Sequence, residues 1–141
     1  MSGLFGTNAP MISDLNLLSQ TLIFVLLAVG SMFGRKKTKI SLHRHERIMT
    51  VAIALNALSI LLVMGPSLVL GFDFALGEPA TIGFPLTLVH HTFGLAAEIL
   101  GGVFIFRKFG KIRMWMRLLL TLWTIGFVLG VFFYVKYFIP F

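Results

Sequence analysis

A glutamate and two histidines stand inside one apolar stretch of this 141-residue chain. The stretch reads Val89-His90-His91-Thr92-Phe93-Gly94-Leu95-Ala96-Ala97-Glu98-Ile99-Leu100-Gly101-Gly102. Imidazole and carboxyl groups there suit two kinds of chemistry: ligation of copper or haem iron, and passage of a proton. Ionisable side chains in hydrocarbon are costly, so by default they face a bundle interior and mark a functional site. On a helix His91, Gly94, Glu98 and Gly102 recur every three or four residues and share one side. Ala97 and Gly101 flank that side, and small residues at this spacing let a neighbouring helix approach closely. Adjacent His90 and His91 point ~100° apart, so they cannot hold opposite sides of one iron. A copper ion or haem at His90 or His91, with Met64 as a further ligand, is one expectation. A satisfied polar cluster, or a contact with a partner subunit, is the other.

The remaining polar residues fall into separate groups. Glu98 is eight residues from the end of its apolar run at Phe106, and Asn56 is eight residues from the start of its own at Ile48. The two should therefore lie level, and Glu98 with Asn56 is the expected polar pair, either as a neutral link between helices or as a proton relay. His43, His45, Glu46 and Arg47 open the second run. Histidines at i and i+2 of a helix point to different faces, so a cluster at headgroup level is expected there rather than a shared metal. The rise of a helix puts this cluster roughly 25 Å from His90 and His91, which rules out one four-histidine site within a single copy. Gln20 reads as one interhelical hydrogen bond, and Gly126 with Gly130 as a second close-packing face. Trp115, Tyr134 and Tyr137 suit aromatic belts at the two membrane boundaries.

The elements that must carry these residues are apolar helices. The composition is 57% hydrophobic and 12% charged, and four apolar runs can be drawn: Leu15 to Phe33, Ile48 to Leu70, Ile82 to Phe106 and Leu118 to Ile139. Each is close to the ~20 residues that cross ~30 Å of hydrocarbon as a helix. Continuous apolarity argues against barrel strands, which alternate. The expected fold is thus an all-α integral membrane protein. Four transmembrane helices, about 15–34, 43–70, 82–107 and 114–139, form an antiparallel bundle in a single membrane domain.

Eleven of the twelve lysines and arginines fall in two stretches, Arg35 to Arg47 and Arg107 to Arg117. They join run one to two and run three to four, so both should face the cytoplasm. Both termini and the loop Gly71 to Thr81, with Asp73 and Glu78, then lie outside a prokaryotic cytoplasmic membrane. No basic region precedes the first run, so it reads as a permanent helix rather than a cleaved signal. The net charge of +7 serves the membrane boundary and its lipid headgroups, and no nucleic-acid partner is expected. Cysteine is absent, which excludes disulfides, zinc–thiolate sites and covalently attached c-type haem.

Three places in the chain resemble the YozB/CtaM-like family of small four-helix membrane proteins. His45-Glu46-Arg47-Ile48-Met49 looks like the family's histidine-to-methionine opening of the second helix. Leu88-Val89-His90-His91 followed by Leu95-Ala96 looks like its histidine-bearing third helix, with either histidine in the family position. Gly110-Lys111 and then Trp123, Gly130 and Tyr134 look like its last loop and helix. The histidine that the family tends to carry in the last cytoplasmic loop has no counterpart in Phe109-Gly110-Lys111-Ile112-Arg113-Met114. Members include a bacterial assembly factor for haem–copper cytochrome c oxidase. The resemblance implies a non-catalytic accessory or assembly subunit of a membrane metalloenzyme, a haem–copper respiratory oxidase or a copper oxidoreductase or monooxygenase. Its partners would be lipid and other integral membrane subunits, and the nearly uncharged tail from Met1 to Asp14 reads as a surface for one of them. Two further functions stand beside this: a haem-binding electron carrier ligated at His90 or His91, and a small proton-coupled transporter using Glu98.

Overall fold

The first helix, α1 (Met11–Arg35), follows directly on Pro10 and ends on a cation in its last turn, where the helix dipole favours positive charge. A computed structural model describes residues 3–36, 38–66, 69, 83–106 and 112–139. The loop Gly71 to Thr81, and the basic residues Arg107, Lys108 and Lys111, lie outside the described residues. Only residues 36–38 separate α1 from α2 (Lys39–Ser59). This second helix begins before His43, because Thr38 and Ser41 form a capping box. Ser41 N donates to Thr38 Oγ1 and Thr38 N donates to Ser41 Oγ, both at 3.2 Å. Two otherwise orphaned donors are satisfied at once.

The end of α2 widens into a π-helical turn over Ile60–Met64, in which the Gly65 N–H reaches back to the Ile60 carbonyl. Pro66 supplies the reason. It has no N–H, and its ring collides with the carbonyl four residues earlier in a regular helix. The third and fourth helices are α3 (Gly83–Phe106) and α4 (Ile112–Phe138).

The helices pack chiefly as two hairpins, α1 on α2 and α3 on α4, and contacts of α1 with α4 and of α2 with α3 close the ring. Ile23 and Leu27 of α1, Ala52 of α2, Ala97 of α3, and Leu119 and Trp123 of α4 form the buried centre. Phe24 stacks on Trp123 and Phe127, with ring centroids 5.9 and 4.8 Å apart. Large rings from α1 and α4 thus meet alanines from α2 and α3, which lets the four axes draw together. All described elements are helical, and four stretches are long and apolar enough to cross a membrane: Met11–Arg35, Lys39–Met64, Leu88–Phe106 and Met114–Lys136.

The N-terminal residues are a strap over the end of the bundle away from the first basic stretch. Gly3 N donates to the Thr7 carbonyl at 2.9 Å, and Gly6 takes φ +69°, a turn that glycine adopts without a steric cost. Asn8 N donates to the Phe138 carbonyl at 3.2 Å, and the Thr7 and Tyr134 hydroxyls are 3.1 Å apart. The Tyr134 hydroxyl also donates to Asp14 Oδ1, and Phe5 N donates to Asp14 Oδ2. Asp14 is fully buried and Tyr134 nearly so. The tail is held by this chain's own fourth helix and leaves Leu4 and Phe5 exposed. One expectation changes here: Tyr134 is a buried hydrogen-bonding residue rather than part of a boundary belt. The Tyr137 side chain lies outside the described residues.

Candidate functional site

A chain of polar side chains crosses the bundle from α1 through α2 to α3. Asn16 and Gln20 lie one turn apart on α1, and Asn56 and Ser59 one turn apart on α2. The two pairs face each other because consecutive turns of a helix present residues four or three apart. Ser59 Oγ donates to Asn16 Oδ1 at 2.7 Å. Gln20 Nε2 donates both to Ser59 Oγ at 3.1 Å and to Asn56 Oδ1 at 3.0 Å. Asn56 Nδ2 then donates to Glu98 Oε2 at 2.8 Å. The structure therefore places Glu98 against Asn56, and adds Gln20, Ser59 and Asn16 behind them. No buried side-chain nitrogen or oxygen among the described residues lacks a partner, as the low dielectric of an interior demands.

Glu98 is half-buried, and with Asn56, Ala52, Ala97 and Trp123 it lines a cavity of about 20 Å³. That volume holds a single water. The links running from Asn16 to Asn56 are carboxamides and one hydroxyl. A carboxamide keeps its hydrogens on nitrogen, and together with the bond to Glu98 these links join three helices.

The histidines occupy a second arrangement, repeated once in each hairpin. His45 of α2 donates from Nδ1 to the Gly30 carbonyl of α1 at 2.7 Å. Its ring lies over Gly34, where an added Cβ would stand 3.1 Å from Nδ1. His90 of α3 donates from Nδ1 to the Gly126 carbonyl of α4 at 2.8 Å. Its ring lies over Gly130, where an added Cβ would stand 3.0 Å from Cε1. Each imidazole thus sits in a Gly-x-x-x-Gly notch of the facing helix. A carbonyl only accepts, so Nδ1 carries the hydrogen in both rings and the lone pair of the neutral ring is on Nε2.

Gly126 also meets Gly94 backbone to backbone, with an added Cβ 3.6 Å from Gly94 N. At Gly101 an added Cβ would stand 3.0 Å from Ile53 Cδ1, and Ala97 is buried in the core. Gly102 departs from the close packing expected of it, and Gly94 does so on its own Cβ side, since an added Cβ at either meets no described atom within 4 Å. Gly102 is half-buried. His43, two residues before His45, is exposed, as are Glu46 and Arg47.

The two histidines of α3 are not placed to clasp one haem iron from opposite sides. The His90 and His91 rings are 5.1 Å apart at 81°, an edge contact that cannot clasp one iron from both sides. His90 turns its Nδ1 to α4, against Gly126, and its ring also meets Phe133 of that helix. Met64 belongs to the π turn of α2. Among the described residues, no three His, Cys, Asp or Glu side chains gather as a metal site.

Sequence reasoning did not find the histidine–glycine notches or the bond between Asp14 and Tyr134. The signals were present as spacings, Gly30 to Gly34 and Gly126 to Gly130, but spacing does not say which residue fills a notch. No family model, curated protein or solved structure matches the chain.

Proposed function

We propose that this chain is a non-catalytic accessory or assembly subunit of a membrane-bound metalloenzyme, a haem–copper respiratory oxidase or a copper membrane oxidoreductase. It sits in a prokaryotic cytoplasmic membrane with the basic stretches inside and both termini outside. The observation that carries this reading is the use made of the polar groups. His45, His90 and the chain from Asn16 to Glu98 each join one helix to the next, and the cavity beside Glu98 has room for one water. Side chains so arranged stabilise a small bundle, and chemistry belongs to a partner that the bundle supports. Exposed leucines, valines and isoleucines along all four spans suit lipid and other membrane subunits. The resemblance to the YozB/CtaM-like family supports the same class of host. Any copper or haem handled in this role takes ligands from that host as well.

The test is co-purification of the tagged full chain from native membranes in mild detergent, with metal and haem analysis of what it carries. Recovery with subunits of a copper or haem enzyme, and loss of that enzyme's activity on deletion, is the expected outcome. A chain that runs alone, and whose deletion leaves membrane copper and haem enzymes unchanged, would overturn the reading.

A second reading, a proton-coupled transporter, is favoured by one observation: Glu98 borders the water-sized cavity. It predicts that Glu98→Gln abolishes transport in proteoliposomes while the protein stays folded.

A further inference from the structure

A groove of about 200 Å³ runs between α1 and α2 in the half of the bundle away from the first basic stretch. Its walls are Leu15 and Leu22 of α1 and Leu55, Leu58 and Leu62 of α2, all exposed, and its floor is Ile23 and Ser59, both buried. The far rim is the π turn, which contributes Leu62 and Val63. Interruptions of this kind in a helix often mark functional sites. Two polar residues also line the groove, Asn16 and Ser19. Asn16 Oδ1 takes the Ser59 hydroxyl. Asn16 Nδ2 and the Ser19 hydroxyl have no partner among the described residues. The groove therefore pairs a leucine trough with unused hydrogen-bond donors.

We propose that this groove binds one glycerolipid of the outer leaflet, with an acyl carbonyl oxygen accepting from Asn16 and Ser19 and the acyl chain lying between the leucines. The proposal rests on the membrane insertion argued above, not on the identity of the host complex. Hydrocarbon offers no water to meet such a donor, and a lipid carbonyl lying in the groove is an acceptor within its reach. With α1 centred in ~30 Å of hydrocarbon, Asn16 stands ~5 Å inside the boundary, close below the layer of ester carbonyls.

Three features favour a lipid over other occupants. The volume is below the roughly 300–1,000 Å³ of pockets that enclose a whole ligand, so it suits part of a molecule whose remainder stays in the bilayer. Among the described residues no aromatic ring lines the groove, so none of them stacks a flat quinone headgroup there. The walls are leucines rather than glycines and alanines, so a partner helix could not bring its backbone close.

The test is native mass spectrometry of the full chain, purified in mild detergent and washed stepwise to remove loosely held lipid. The wild type is expected to retain one glycerophospholipid per chain. Ser19→Val removes a donor that no other side chain uses, and should weaken retention roughly fivefold, the effect of about one hydrogen bond. Leu58→Trp fills the trough and should abolish retention. No retained lipid, or equal retention by wild type and Leu58→Trp, would overturn the proposal. So would a quinone or a second protein recovered in place of the lipid. Alkaline carbonate extraction separates this from failure of the membrane reading. A chain that stays in the membrane pellet but holds no lipid sinks the lipid site alone, whereas a chain released by carbonate sinks the insertion itself.

Discussion

Asn56 is the residue on which the polar chain turns, because it accepts from Gln20 and donates to Glu98. Interhelical hydrogen bonds in membranes give ~0.6 kcal/mol on average and up to ~1.7 kcal/mol. Asn56→Leu removes two of them at once and strands the Glu98 carboxyl. A loss of about 1–2 kcal/mol is expected, measured by unfolding in mixed detergent micelles. Glu98→Gln keeps an acceptor for Asn56, so it should cost clearly less. Equal losses from the two variants would mean that the charge of Glu98, not its bond to Asn56, holds the seam. Asp14 and Tyr134 make a second case. Tyr134→Phe leaves a fully buried carboxyl oxygen without its hydroxyl donor, a change worth about 1–3 kcal/mol. Because the same hydroxyl meets Thr7, protease should cut the strap of residues 3–10 faster in this variant. Unchanged cutting would show that the Asn8 and Phe5 backbone bonds hold the strap without the Tyr134 hydroxyl.

The two hairpins share one device, a histidine of one helix bonded into a glycine notch of the other. A larger side chain at Gly130 must displace the His90 ring, and at Gly34 the His45 ring, since each glycine already has ring atoms close to 3 Å from an added Cβ. Gly130→Val and Gly34→Val should each cost about 1–3 kcal/mol, the range for overpacking. Gly102→Val meets no atom within 4 Å and should stay within about 0.5 kcal/mol, unless a partner subunit covers that edge. A severe effect of Gly102→Val on assembly in native membranes, with none on the purified chain, would locate such a partner.

This is also the scale at which the sequence was only partly legible. Continuous apolar runs disclosed four helices, and equal depth disclosed Asn56 with Glu98. Periodicity identifies the face of a helix that is covered, but not the helix that covers it. Gly126 and Gly130 therefore read as a packing face in the sequence, and nothing in their spacing points to His90 as the residue that fills it. The early start of α2 depends on a Thr-x-x-Ser box in which serine stands where glutamate or glutamine is usual. The strap depends on one backbone bond to Phe138 and on Thr7 and Asp14 meeting Tyr134 more than 100 residues away, for which local spacing gives no signal.

At the scale of the molecule, the charge distribution distinguishes the two ends of the bundle. Arg35, Lys36, Lys39, Arg44 and Arg47 gather at one end of the first hairpin and are all exposed, while the strap and the Asp14–Tyr134 bond lie at the other. Lys36 and Arg44 both approach the Phe33 ring, at 5.8 and 5.9 Å from its centroid, so the aromatic ring and the cations share one layer. An aromatic ring at headgroup depth with cations around it marks a membrane boundary. Cations are retained on the cytoplasmic side, so this end should face inward and the strap outward. The absence of cysteine makes that directly measurable, because one introduced thiol is the only thiol. Leu4→Cys, on the exposed part of the strap, should react with an impermeant maleimide added to intact spheroplasts. Lys39→Cys, at the start of α2, should react only once the membrane is opened. Reaction of both from outside would mean that the loop between α1 and α2 is not cytoplasmic, and reversal of the pattern would invert the molecule. In either case the hydrogen-bonded chain and the histidine notches would stand; reversal would move the lipid groove to the other leaflet, and reaction of both from outside would mean that α1 does not cross the membrane and would remove the groove's lipid setting.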